Sequence, residues 1–85
     1  MPGAKGRINI SNNYVATSDG WVCAQINGTG NGAYIHMMSS DGYAHTVIGF
    51  SAGNIVNGLI PIRKGATFSY SYGSCTILGI QFNFC

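Results

Sequence analysis

From Thr67 to Tyr72 the chain alternates hydroxyl and aromatic residues without a break: Thr67-Phe68-Ser69-Tyr70-Ser71-Tyr72. Successive side chains of a strand point to opposite faces, so this segment sets an aromatic row against a hydroxyl row. Leu59-Ile60-Pro61-Ile62 reads as a short strand ahead of it, with Arg63-Lys64-Gly65 as a polar turn between the two. Pro61 cannot donate to a ladder, which predicts that its strand lies at an edge or breaks there.

The same grammar runs through the chain. Residues 7–10, 14–17, 21–27, 33–38, 43–50 and 75–85 read as strands, separated by Ser11-Asn12-Asn13, Ser18-Asp19-Gly20, Ser39-Ser40-Asp41-Gly42 and Gly73-Ser74. Ile55-Val56 is a short apolar piece before Asn57-Gly58. Trp21, Cys23 and Gln25 share one face of their strand, and Val22, Ala24 and Ile26 share the other. Both faces are largely apolar, which predicts a central strand. In the last segment Thr76, Leu78, Ile80, Phe82 and Phe84 are expected on one face throughout. The glycine-rich run of residues 27–32 contains Asn-Gly twice and reads as a hairpin turn. It lacks the GxxxxGK[ST] pattern and a following helical segment, so it is no phosphate cradle. No stretch shows a helical period with helix-favouring residues; glutamate is absent. The expectation is an all-β, antiparallel sandwich over residues 7–85, with residues 1–6 a flexible arm or linker.

At 85 residues the chain makes one domain. Such a length buries only ~60% of the unfolded surface, so a lone core is marginal. The chain is 46% hydrophobic and only 7% charged, far below an ordinary soluble surface. Ser, Asn, Thr and Gly must cover much of the outside, or further copies of the chain must. The choice lies between an obligate oligomer and a closed monomer with a neutral polar surface. A net charge of +2, split between Lys5, Arg7 and the Arg63-Lys64 pair, makes no nucleic-acid stripe. No run approaches the ~20 apolar residues of a membrane helix. Residues 1–6 lack the apolar core of a secretory signal, so the chain is either made for the cytoplasm or is a piece of something longer.

Chemistry is sparse. Asp19 and Asp41 precede glycine in turns, where aspartate serves the backbone. Cys23, Cys75 and Cys85 are odd in number and lack zinc-site spacing, so they are expected to be small buried hydrophobes, with Cys85 free to meet a neighbouring chain. His36 and His45 flank the 39–42 turn. A tight turn would bring them together, and a metal could bind them where three copies converge; ordinary solvated polar residues are the plainer reading. No metal, cofactor or enzymatic activity is expected. Recognition is expected at adaptable donors and exposed aromatics: Asn27, Thr29 and Asn31 in the glycine-rich loop, and Tyr34, Asp41 and Tyr43 around the 39–42 turn. Phe68, Tyr70 and Tyr72 are expected in the core or a subunit contact.

Two stretches carry a family resemblance. Asn13-Tyr14-Val15-Ala16-Thr17-Ser18-Asp19-Gly20-Trp21-Val22 is similar to the A-x-S-D-G-[WY]-V opening of jelly-roll domains near the C-termini of phage tail fibres and receptor-binding proteins. Leu59-Ile60-Pro61-Ile62-Arg63-Lys64-Gly65-Ala66-Thr67-Phe68 resembles the x-[VI]-P-[VI]-x-K-G-D-x-[VF] segment further along the same domains. Ala66 departs from that pattern, which has an acidic residue there. The trimeric jelly rolls of tumour-necrosis-factor-like proteins are a more remote likeness. The resemblance implies a homotrimeric jelly-roll tip on a virion tail fibre, assembled in the host cytoplasm, attaching to a bacterial surface polysaccharide or protein. The alternatives are a structural trimerisation or cap domain that recognises nothing, and a free-standing lectin-like carbohydrate-binding protein.

Overall fold

Alternation carries through into eight strands. The computed structural model describes residues 6–84. The strands are β1 (Gly6–Asn9), β2 (Tyr14–Val15), β3 (Gly20–Gly28), β4 (Ala33–Ser39), β5 (His45–Phe50), β6 (Ile55–Ile62), β7 (Thr67–Gly73) and β8 (Cys75–Phe84). No helix occurs among the described residues. Two four-stranded antiparallel sheets result, ordered β1-β8-β3-β6 and β2-β7-β4-β5, in keeping with the expected β-sandwich.

The inward rows hold the sheets together. Val22, Ala24 and Ile26 of β3, Ile60 and Ile62 of β6, and Phe82 of β8 come from one sheet. Ile35 and Met37 of β4 and Phe68 of β7 come from the other. Each fully buried side chain of this size contributes about 1.5–3 kcal/mol. Gly58 of β6 leaves the room that one of them needs. A Cβ there would lie 2.6 Å from Met37 Cε and 2.9 Å from Ile48 Cδ1. β3 is central, between β8 and β6, and β6 with Pro61 is an edge, both as the sequence predicts.

Several expectations are corrected. The Asn27-to-Gly32 run makes no hairpin, because β3 and β4 belong to different sheets and the loop crosses between them. Among the described residues only β4 and β5 are joined as a hairpin, by the 39–44 segment, where Gly42 takes the positive φ of 73° that its turn requires. Asn57-Gly58 is not a break: Ile55–Ile62 is one strand, because glycine is needed there for packing rather than for turning. In β8 the alternation slips. The register with β3 shifts between Gln25 and Ile26, so that Gly79 pairs with Gln25 and Ile77 with Ile26. Leu78 is therefore a bulge residue, half exposed, and Ile77 rather than Leu78 packs on the core. β5 begins at His45, leaving Tyr43 in the loop. Gly6 belongs to β1, paired with Phe84. The rest of the expected arm, and Cys85, lie outside the described residues. Cys23 and Cys75 are only half-buried.

Gly20 opens β3, beside the last turn of the Ser18-Asp19-Gly20-Trp21 stretch. A Cβ on it would meet the backbone carbonyl of Asn83 on β8, which cannot yield without parting the two strands. By contrast Gly49 and Gly79 have open space around the same position. Gly20→Ala is expected to destabilise the fold by about 2 kcal/mol or more, and Gly49→Ala and Gly79→Ala by less than about 0.5 kcal/mol. Urea unfolding of the three variants checks the order.

Candidate functional site

The inward use of Val22, Ala24 and Ile26 turns Trp21, Cys23 and Gln25 outward, onto the solvent side of the β1-β8-β3-β6 sheet. Pairing then lays out rows across that face. Arg7, Asn83, Trp21 and Pro61 form one row; Asn9, Gln81, Cys23 and Leu59 the next; Gly79, Gln25 and Asn57 the third. Gly79 has no side chain and Cys23 a small one, so the middle of the face is low. Trp21, Leu59, Leu78 and Arg7 stand around it. The result is a shallow hollow of about 380 Å³ between Arg7, Trp21, Asn57, Leu59 and Asn83. A second of about 330 Å³ adjoins it along Gln25, Leu78, Gly79 and Gln81. Either is within the size range of small-ligand sites.

The lining is preorganised by its own hydrogen bonds. Arg7 Nε donates to Asn83 Oδ1 at 2.9 Å, and Asn83 is itself buried. Gln81 Nε2 donates to Asn9 Oδ1 at 3.2 Å. The outer guanidinium nitrogens of Arg7 and the amides of Asn57 and Gln25 carry no side-chain bond within the described residues. Each amide offers two donors and an acceptor. Among the described residues no Asp, Glu or His lines either hollow, and Arg7 is the one formal charge there. An aromatic ring beside neutral amides is suited to hydroxyl-rich rings, which present an apolar C–H face and a polar rim.

The residues expected from the sequence fall elsewhere, apart from Asn27. It continues this outer face beyond the third row, paired with Ile55 and Thr76. Thr29 and Asn31 are exposed in the crossing loop, where the N–H groups of Thr29 and Gly30 both donate to Ser74 O. Tyr34 lies on the outer face of the other sheet, with its ring over Gly73, where a Cβ would be 2.6 Å from Tyr34 Cε1. Asp41 and Tyr43 sit past the far end of β4, about 20 Å of strand from Asn31. The six therefore make no single site. His36 and His45 do come together, with ring centroids 5.8 Å apart on the outer face of the β2-β7-β4-β5 sheet. The face missed in the sequence joins four strands that are not consecutive. Its one legible trace is an amide at outward positions of several of them: Asn9, Gln25, Asn57, Gln81 and Asn83.

Asp41 and Tyr43 instead build a clasp with the β6–β7 loop. Asp41 Oδ1 accepts the Ser39 hydroxyl at 2.8 Å and the Tyr43 N–H at 3.0 Å, and Arg63 Nε reaches Oδ2 at 3.3 Å. The Arg63 guanidinium carbon lies 4.0 Å above the Tyr43 ring. Nearby, Lys64 N–H donates to Asp19 Oδ1 at 2.9 Å, and Gly65 N–H to Ala16 O at 2.8 Å.

No protein-family model, curated protein or solved structure matches this chain.

The Tyr43 N–H first, then the Ser39 hydroxyl and Arg63, hold the Asp41 carboxyl below its ordinary value of 3.8. A carboxylate whose pKa is lowered by folding stabilises the fold above its unfolded value, and that contribution is lost as pH falls through the folded value. Wild type is therefore expected to lead Asp41→Asn in urea midpoint at neutral pH. The lead should shrink as pH falls through about 4 and below. A lead that does not change with pH would contradict this assignment.

Proposed function

We propose that this chain is a jelly-roll receptor-binding module of a phage tail fibre, acting as a homotrimer, which attaches to a bacterial surface polysaccharide. The observation that carries the recognition part is the outer face of the β1-β8-β3-β6 sheet. Trp21 stands there beside Arg7, Asn57 and Gln81 around a hollow of about 380 Å³, and Gln25 lines the adjoining hollow of about 330 Å³. A sugar ring stacked on Trp21 would place its hydroxyls against those amides and the free nitrogens of Arg7.

The strand order supports the jelly-roll reading. Such folds deal an eight-stranded chain into two facing sheets as paired Greek keys. Here β1, β8, β3 and β6 go to one sheet and β2, β7, β4 and β5 to the other. The two stretches that resemble tail-fibre domains also meet in space. Trp21 pairs with Pro61, and Asp19 holds the Lys64 N–H. The homotrimer rests on the resemblance and on a surface that combines few charges with exposed Val15, Val47, Ile55, Leu59 and Leu78.

Two measurements test the proposal. On an array of bacterial surface oligosaccharides the chain is expected to bind, and Trp21→Ala to weaken binding about tenfold or more. Light scattering should give the mass of three chains. A trimer that binds no glycan would leave the structural cap domain as the reading. A clean monomer at micromolar concentration would remove the trimer.

A further inference from the structure

We propose that the outer face of the β2-β7-β4-β5 sheet carries a soft-metal site for copper(I), built from His36, Met38 and His45. Its geometry is set by the β4–β5 pairing. Met38 lies directly opposite His45, and His36 precedes Met38 by two residues on the same strand. All three side chains therefore point outward, since Ile35 and Met37 between them are fully buried. Directly opposed residues bring their Cβ atoms to about 5 Å, and the diagonal neighbour remains within reach of a long side chain. His36 and His45 are that diagonal pair. Their ring centroids are 5.8 Å apart with planes at 71°. Two imidazoles that share one metal at about 2.0 Å from each nitrogen have centroids about 5–6 Å apart, so the rings already have the spacing of a shared ion. Met38, directly opposite His45, is placed for its flexible thioether to reach the same point.

The donor set selects the metal. Calcium and magnesium demand oxygen ligands, and no carboxylate occupies an outward position of β4, β5 or β7. Zinc is ordinarily held by four ligands, and no group of three His, Cys, Asp or Glu residues occurs among the described residues. Thioether and imidazole together are the choice of copper(I), which accepts low coordination numbers and soft donors. The outward neighbours are neutral: Val47 opposite His36 on β5, and Ser69 and Ser71 opposite Met38 and His36 on β7. Among the described residues no charged side chain occupies an outward position of β4, β5 or β7; Asp41 and Arg63, beyond these strands, are paired with each other at the β4–β5 turn. His36 and Met38 are half-buried and His45 is exposed, so an ion can enter from solvent with little rearrangement.

Copper(I) is diamagnetic, so an anaerobic NMR titration of the whole chain with copper(I) reads the site directly and separates it from the cysteine thiols. The expected result is movement of the His36 and His45 ring resonances and the Met38 methyl together, complete at one equivalent for those signals. His45→Ala should abolish the movement at His36 and Met38. Met38→Leu should weaken copper(I) binding at the histidines about tenfold or more while leaving nickel(II) binding by the two imidazoles unchanged. Two results would overturn the proposal: copper(I) that shifts only residues around the thiols, or a Met38→Leu variant that binds copper(I) at the histidines as wild type does. These positions lie outward on a sheet, and an unchanged amide spectrum in the metal-free variants confirms that the fold is intact.

Discussion

The fit of Met37 into the space left by Gly58 ties one sheet to the other. Met37 is fully buried from β4, and Gly58 belongs to the edge strand β6 of the opposite sheet. Around this contact the inward rows of β3, β6 and β8 meet those of β4 and β7. A chain of 85 residues has little apolar material to spare, and most of its branched aliphatic side chains point inward. The outward positions are consequently left to amides, hydroxyls, glycines and a few isolated hydrophobes. That division of residues, rather than any local motif, gives the two outer faces their chemistry.

The loops at one end show how so few charges are used. Asp19 and Asp41 are the only acids, and each is spent on a backbone N–H and a loop crossing. Asp41 fixes the β4–β5 turn and reaches Arg63, while Asp19 holds the Lys64 amide. An exposed pair such as Arg63 with Asp41 is screened by solvent and adds little to stability, so the carboxylates act mainly as acceptors that set loop geometry. The basic pair in the β6–β7 loop is thereby part of the framework. Ser40 adds to it, donating and accepting across to Thr67 at 2.9 Å and 2.8 Å.

Much of this was legible in the sequence because strand alternation is a local signal. The Thr67-to-Tyr72 alternation, the apolar double face of Trp21 to Ile26 and the edge position implied by Pro61 all appear in the fold. What was not legible depends on pairing between distant segments. The slip that makes Leu78 a bulge arises from its match to Gln25 and Ile26, some fifty residues away in the chain. Asn27 to Gly32 looks like a hairpin because Asn-Gly serves any tight reversal, and only sheet membership shows that the loop crosses over. The hollow around Trp21 is hidden in the sequence for the same reason. Arg7, Gln81, Asn57 and Trp21 come from four strands whose order no local rule supplies. The His36–His45 approach, a matter of one short turn, was within reach.

The proposed recognition has two candidate places on the molecule: the shallow, amide-lined hollow around Trp21, and the exposed loop around Thr29 and Asn31. Trp21 is the only tryptophan in the chain, so its indole N–H is a single resolved NMR signal. Titration with the bacterial surface oligosaccharides of the proposed function separates the two. Binding on the sheet face should move the Trp21 indole and the side-chain amides of Gln25, Asn57 and Gln81, and leave the backbone amides of Thr29 and Asn31 in place. Movement at Thr29 and Asn31 with an unmoved Trp21 indole would contradict the assignment of the face.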